Sequence, residues 1–151
     1  MKGAPTRYIF LFLLCILCLS IFLMASVPPV DRDALTQHLA VPKLYVQHGG
    51  IYELPDIITS YYPELLDLIY CIPLMFNNDI FPKYIHFAFA LFTALILFNY
   101  TKEKIDINYA LFSVLLFLSL PVIIKLSITI YVDLGLIFFF NSLFVLFAEM
   151  A

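Results

Sequence analysis

Long apolar runs alternate with more polar segments along this chain. A helix that crosses a hydrocarbon layer about 30 Å thick needs about 20 apolar residues. Runs of about that length predict membrane-spanning helices at 8–27, 84–100, 109–126 and 128–149. The first two are separated by a long segment, 28–83, that contains most of the prolines. The pattern predicts an all-α, polytopic membrane protein, a single membrane domain with a long loop after its first span.

The first part of this loop has the pattern of an amphipathic helix near 32–47. Asp31 is its candidate N-cap, because a short acidic side chain can accept hydrogen bonds from the first turn of a helix. Pro42 is expected to bend or end the helix, because proline removes a backbone donor. Gly49 and Gly50 are expected to close it, because glycine readily adopts the left-handed conformation found at helix C-termini.

A second loop helix is predicted near 61–76, in an apolar stretch that also contains Glu64 and Asp67. An acid at the centre of a bilayer costs about 2.5–3.5 kcal/mol on insertion scales, which opposes full insertion. We therefore predict that this helix lies along the membrane interface and does not cross.

Basic residues orient the predicted spans. Lys2 and Arg7 precede the first span, and Lys102 and Lys104 lie in the short loop between the second and the third. Cytoplasmic loops are enriched in lysine and arginine, so the N-terminus and this short loop are predicted to be cytoplasmic. The long loop 28–83 and the turn before the fourth span then lie at the outer face.

Composition supports the membrane prediction and argues against a nucleic-acid partner. The chain is 64% hydrophobic and 13% charged, whereas soluble chains average about 45–50% and about 25%. Its net charge is −3, which is unlike the basic surfaces that bind phosphate backbones. Cys15 and Cys18 have the C-x-x-C spacing but lack the further ligands of a zinc site, and we interpret them as packing residues.

The residues that could carry chemistry are acids predicted near one face: Asp31, Asp33, Glu64 and Asp133. On composition alone, the first loop helix is an amphipathic helix on the bilayer with acids placed at its start by the helix dipole. The chain would then be a small structural membrane protein. A transporter fragment is another alternative, although transporters place their charges near the bilayer midplane and often contain repeated helices.

Four segments together resemble the N-terminal region of membrane glycosyltransferases of the GT-C fold, in the protein-mannosyltransferase-like and aminoarabinose-transferase-like branch. They are PPVDRDALTQHLAVPKLYVQHGGIYE, YYPELLDLIY, HFAFALFTALILF and LSLPVIIKLSITIYVDLGL. Their order and spacing carry the resemblance, which covers nearly all 151 residues. It implies a partial GT-C module in a bacterial inner membrane, with a periplasmic active face. It also implies an N-terminal fragment that lacks much of the lipid-donor groove.

The resemblance also implies roles for the acids. By its distance to the turn at 49–50, Asp33 matches the family's first acidic motif better than Asp31 does, and would be the base that takes a proton from the acceptor. Asp133 matches the acid that follows the third span. Asp133, with Glu64 and Asp31 as weaker candidates, would orient the acceptor or bind Mg²⁺ or Mn²⁺, ions that carboxylate oxygens suit.

The implied donor is a polyprenyl-phosphate-linked sugar, and the implied acceptor is a lipid, a glycan or a protein. Charge on the leaving phosphate must be offset by a cation or a metal. Lys125 is the candidate for that contact, with a lysine that snorkels to the membrane surface as the alternative. His38 and Tyr131 are further candidate contacts, although their positions are first of all those of interface residues.

Overall fold

The computed structural model describes residues 4–62 and 64–150, and every regular element within them is helical. A π-helical turn, a 3₁₀ turn and short connectors join the α-helices. The α-helices are α1 (Ala4–Ala25), α2 (Ala40–His48), α3 (Leu65–Leu74), α4 (Phe81–Lys104), α5 (Ile107–Ser119), α6 (Pro121–Ser127) and α7 (Asp133–Met150). For these residues the all-α prediction is confirmed.

Three of the helices, α1, α4 and α7, are long and apolar enough to cross a membrane, with mean hydropathies of 2.8, 1.6 and 1.7. A fourth span would form if α5 and α6 are counted as one bent pair. Large apolar side chains are exposed along these helices, among them Phe140, Phe144 and Phe147 of α7. Soluble proteins rarely expose such a continuous apolar surface, so length and composition indicate an integral membrane protein.

The helix predicted at 109–126 is not continuous in the structure. Helix α5 ends at Ser119, and α6 leaves it at an angle of 67°. Leu120 between them is extended, with φ −60° and ψ 128°, because the ring of a proline disfavours the helical conformation in the residue before it. Pro121 then begins α6, where its missing N–H has no intrahelical partner to lose.

The fourth predicted span, at 128–149, corresponds to α7, which begins later than predicted, at Asp133. Residues 128–132 form a non-helical connector instead. Ile130 is fully buried there, so an apolar sequence serves here as a buried connector and not as part of the helix. Asp133 consequently lies in the first turn of α7, where the helix dipole favours a negative charge.

The predicted helix near 32–47 is interrupted. A π-helical turn, Ala34–His38, precedes α2. Pro42 was expected to bend or end the helix, and the interruption falls within the four residues before it. Pro42 itself lies in the first turn of α2, where N–H groups have no intrahelical acceptor. Gly49 ends α2 as predicted, in the left-handed conformation (φ 81°), and its N–H donates to the Tyr45 carbonyl at 3.0 Å.

Helix α3 occupies part of the second predicted loop helix. Its 10 residues extend about 15 Å at 1.5 Å per residue, about half of the hydrocarbon thickness. One face is buried and carries Leu66, Tyr70 and Leu74. Gly135 of α7 approaches this face so closely that a Cβ there would lie 2.3 Å from Leu66 Cδ1. The short helix is therefore packed against the start of α7.

Side-chain contacts place the end of α1 beside the start of α4. The hydroxyls of Ser26 and Tyr84 are hydrogen-bonded at 2.7 Å. Lys83, which is buried, donates from Nζ to the Val27 carbonyl at 2.7 Å. The long loop between α1 and α4 therefore leaves and returns to the bundle at one place.

His86 joins this region to the end of α6 and the start of α7. Its Nδ1 lies 2.9 Å from the Leu126 carbonyl and 3.2 Å from the Thr129 carbonyl, and the Leu134 N–H donates to Nε2 at 3.1 Å. These partners fix a neutral ring in which Nδ1–H donates and Nε2 accepts. We call this side of the bundle, where α1 and α6 end and α4 and α7 begin, the loop end.

The opposite end of the bundle carries the start of α1, the end of α4 and the start of α5. Phe10 of α1 packs near Phe112 of α5, with 6.1 Å between ring centroids. Lys102 and Lys104 lie in the last turn of α4. The basic loop and the long acidic loop are therefore at opposite ends of the bundle.

The core that sets this arrangement lies between the apolar helices. Its buried members are Ile21, Phe87, Ala90, Ala94, Val114, Leu118, Ile123 and Leu134. Alanines on α4 let neighbouring helices approach closely, as small residues do at helix interfaces in membranes. A second buried group, Ala34, Leu39, Tyr70, Leu74 and Ile130, fastens the loop to the bundle.

Candidate functional site

Five acids collect at the loop end of the bundle. They come from the beginning of the long loop, from α3 with the residue before it, and from the first turn of α7. One of them is hydrogen-bonded to a histidine and another to a tyrosine. We call this group the carboxylate cluster: Asp31, Asp33, Glu64, Asp67 and Asp133, with His38 and Tyr131.

Tyr131 lies among three of these acids. Its hydroxyl donates to Asp33 Oδ2 at 3.2 Å. Partial burial raises the pKa of Tyr131, and the nearby carboxylates of Asp33, Asp31 and Asp133 raise it further. The phenol therefore stays protonated and acts as a donor, since negative neighbours disfavour the phenolate. Asp33 and Asp133, which are 100 positions apart in sequence, thus share one neighbour.

His38 and Asp67 form a buried pair behind Tyr131. His38 Nδ1 lies 2.9 Å from Asp67 Oδ1, and the two side chains are 8% and 5% exposed. A carboxylate at such depth needs a hydrogen-bonding or charged partner. The His38 ring also packs against Tyr131, with 5.4 Å between ring centroids. His38 is therefore directed inward and does not lie at a lipid-facing surface.

Glu64 lies on the α3 side of the cluster. Partial burial raises the pKa of its carboxyl group, and the charge of Asp67 raises it further, whereas the Tyr45 hydroxyl acts in the opposite direction. Burial raises the pKa of Tyr45 as well, and Glu64 adds to that effect. Glu64 therefore lies in a partly apolar region in which the neighbouring Asp67 charge disfavours its ionisation.

Tyr70 of α3 supports the backbone of this site. Its hydroxyl donates to the Tyr131 carbonyl at 2.5 Å. Burial raises the pKa of Tyr70, and the charges of Asp67 and Asp133 add to the shift. A buried tyrosine that stays protonated is a dependable donor, so α3 holds the connector before α7 in place.

The cationic side chains are distributed around the cluster. Lys83 lies near Asp31 while donating to the end of α1. Lys43 forms an ion pair with Asp79 at 2.6 Å, outside the cluster. Lys125 is exposed on α6, and within residues 4–62 and 64–150 the ion pairs are those of His38 with Asp67 and of Lys43 with Asp79. Within those residues Lys125 is therefore not part of an ion pair, and its ammonium group is exposed at the end of α6.

The predicted divalent cation lacks a ready set of ligands. In the part of the chain that the structure describes, no three histidine, cysteine or acidic side chains are arranged to hold a metal ion. Asp33 instead accepts from the Tyr131 hydroxyl, and Asp67 is paired with His38. A metal at this site stays a prediction.

The structure places the candidate acids Asp31, Asp33 and Asp133 at the loop end, and of these three Asp33 is hydrogen-bonded to Tyr131. Three supporting residues were missed as members of the site: Asp67, Tyr70 and His86. Asp67 and Tyr70 are three positions apart in an apolar helix, and a polar face at this spacing signals a buried network. His86 has no such local signal, because its partners are backbone groups far along the chain.

The described part of the chain is an all-helical bundle of a type expected in membranes, with a polar cluster of acids at one end. Comparisons with protein-family models, with curated proteins and with solved structures each found no match for this chain. A function must therefore be argued from the carboxylate cluster and from the sequence resemblance.

Proposed function

We propose that this chain is the N-terminal part of an inverting GT-C membrane glycosyltransferase. It would transfer a sugar from a polyprenyl-phosphate donor to a lipid, glycan or protein acceptor at the outer face of a bacterial inner membrane. Asp33 is the proposed base, and Asp133 orients the acceptor. The observation that supports the proposal is the exposed Asp33 carboxylate at the loop end, which accepts from a tyrosine two positions before Asp133.

The proposed reaction begins with the acceptor hydroxyl or amine beside Asp33. The nucleophile attacks the anomeric carbon while Asp33 takes its proton. A bond forms between the acceptor and the sugar, and the bond from the sugar to the phosphate oxygen breaks. The electron pair leaves with the polyprenyl phosphate. Because the attack comes from the face opposite the leaving group, the anomeric centre is inverted.

The surroundings of Asp33 suit this role. Its side chain is exposed at the loop end, so an acceptor can reach it. Its Oδ2 accepts from Tyr131 at 3.2 Å, which leaves other lone pairs for the incoming proton. Lys125, exposed on α6, is the proposed counter-charge for the leaving phosphate, since an ammonium group binds phosphate as a point charge.

A transporter fragment is the weaker alternative. Transporters gather their charges near the bilayer midplane, whereas here Asp33 and Asp133 lie at the ends of apolar helices or in the loop. A small structural membrane protein could also carry a polar network at a helix end. Neither a transporter fragment nor a structural protein would give sugar transfer, so an assay of transfer separates both from the transferase.

The direct test is transfer in membranes of the source organism. Membranes with the native coding sequence intact or deleted are supplied with a panel of radiolabelled polyprenyl-phosphate-linked hexoses and aminosugars. We expect one donor to label a lipid, glycan or protein product only when the coding sequence is intact, and reintroduction of the sequence to restore labelling. Equal labelling with and without the sequence, for every donor, would refute the transferase proposal.

A further inference from the structure

Tyr131 joins the two halves of the carboxylate cluster. Its hydroxyl donates to Asp33 at 3.2 Å, and its carbonyl accepts from Tyr70 at 2.5 Å. Its ring packs against His38, with 5.4 Å between centroids. One residue therefore contacts the beginning of the loop, the π-helical turn and α3, and it lies two positions before Asp133.

The backbone on both sides of Tyr131 is also fixed. His86 bonds the Thr129 carbonyl before it and the Leu134 N–H after it, and Ile130 is fully buried. A connector without helical hydrogen bonds tends to open locally. The hydrogen bonds of His86 and the burial of Ile130 oppose that opening, so they fix the position of the Tyr131 backbone relative to α4.

The segment that carries Asp33 is anchored as well. The π-helical turn begins directly after Asp33 and ends at His38. His38 is held by Asp67 at 2.9 Å inside the fold. Turns of this kind often occur at functional sites, because the extra residue redirects neighbouring side chains. Here the turn directs His38 into the fold while Asp33 stays exposed.

We infer that Tyr131 is a positioning residue that orients the Asp33 carboxylate and fixes its position relative to Asp133. Tyr70 and the buried His38–Asp67 pair hold Tyr131 in place. This inference rests on the proposed function. Tyr131 acts through Asp33 and does not itself touch the reacting atoms. Loss of its hydroxyl should therefore alter Asp33 without removing the base.

The first test uses Tyr131→Phe in the full chain reconstituted in lipid nanodiscs. Tyr61→Phe is the matched control, because Tyr61 donates to the Glu53 carboxylate at 2.9 Å outside the cluster. Carboxylates are labelled with a carbodiimide and glycine ethyl ester, and modification of Asp33 is followed by mass spectrometry. We expect Tyr131→Phe to raise the labelling rate of Asp33 about two- to tenfold, as loss of one hydrogen bond predicts.

The control should leave the labelling of Asp33 unchanged. An unchanged Asp33 rate in Tyr131→Phe, or an equal rise in both variants, would overturn the inference. This readout involves no sugar donor, so it reports on the contact even if the transferase proposal is wrong.

The second readout is transfer in membranes that carry each variant, with the donor panel described above. Tyr131→Phe should lower the maximal rate about tenfold while KM for the donor stays similar, since a misdirected base slows chemistry more than binding. If Asp33→Asn stops transfer but Tyr131→Phe does not slow it, the positioning role of Tyr131 is refuted and the transferase proposal is not. If neither variant affects transfer while Asp33 labelling still rises in Tyr131→Phe, the transferase proposal is refuted and the Tyr131–Asp33 contact is supported.

Discussion

Replacing His38 with leucine is expected to lower the free energy of unfolding by about 3–5 kcal/mol, because the buried Asp67 carboxylate would lose its partner. His38 and Asp67 are 8% and 5% exposed and lie 2.9 Å apart. Water cannot replace the lost contact without opening the packing between the π-helical turn and α3. The loop should then detach from the bundle before the apolar helices separate.

A double-mutant cycle isolates this pair. Unfolding is followed by titration with sodium dodecyl sulfate for His38→Leu, Asp67→Leu and the variant with both changes. We expect the double variant to be more stable than His38→Leu, because no buried charge remains. His48→Leu is the control, since His48 is exposed at the end of α2. If His38→Leu is as stable as His48→Leu, the pair does not hold the loop.

Asparagine at position 33 is expected to reduce sugar transfer by about 10²- to 10⁴-fold, the usual range for loss of a general base. The amide retains the shape of the carboxylate and can still accept from Tyr131, but it cannot take a proton from the acceptor. Expression and unfolding should therefore be close to those of the unchanged chain.

Asp56→Asn is the matched control for this variant. Asp56 is exposed in the same loop and lies outside the carboxylate cluster. Both variants are compared in membranes with the same donor panel. Transfer by Asp33→Asn at the level of Asp56→Asn would exclude Asp33 as the base, whatever the acceptor proves to be.

The positions of the helices could largely be predicted from the apolar runs, but their ends could not. The run at 128–149 begins with ITIYV, which is mostly apolar, yet residues 128–132 form a connector. Its buried Ile130 and the hydrogen bonds from His86 replace a turn of helix. Apolar composition shows that a segment avoids water, and it does not distinguish a helix from a buried connector.

Two prolines lie in the first turn of a helix that follows an interruption. Pro121 separates two helices by 67° because Leu120 before it becomes extended. Pro42 was expected to bend or end the helix predicted near 32–47, and α2, which contains it, begins after the π-helical turn. The outcome depends on where each helix begins, which pattern alone does not define.

The loop-end position of two candidate acids could be predicted because they lie near the ends of apolar runs. Asp33 and Asp133 follow from their positions next to spans that end on the same side. The His38–Asp67 pair could not be derived in this way, because it depends on how the π-helical turn packs against α3. The sequence predicted an interfacial position for this helix, because burying its acids in a bilayer is costly. In the structure Asp67 is buried, but within the protein and paired with a histidine.

The proposed function requires that the loop end, with Asp33 and Asp133, faces the outside of the cell. In a chain whose three cysteines are replaced by alanine, single cysteines are placed at the exposed positions Gln47, Asp133 and Glu103. Intact cells are treated with a membrane-impermeant maleimide. We expect labelling at positions 47 and 133 in intact cells, and labelling at 103 only after permeabilisation. Labelling of 47 and 133 from opposite sides of the membrane, or of both only after permeabilisation, would contradict the proposed function.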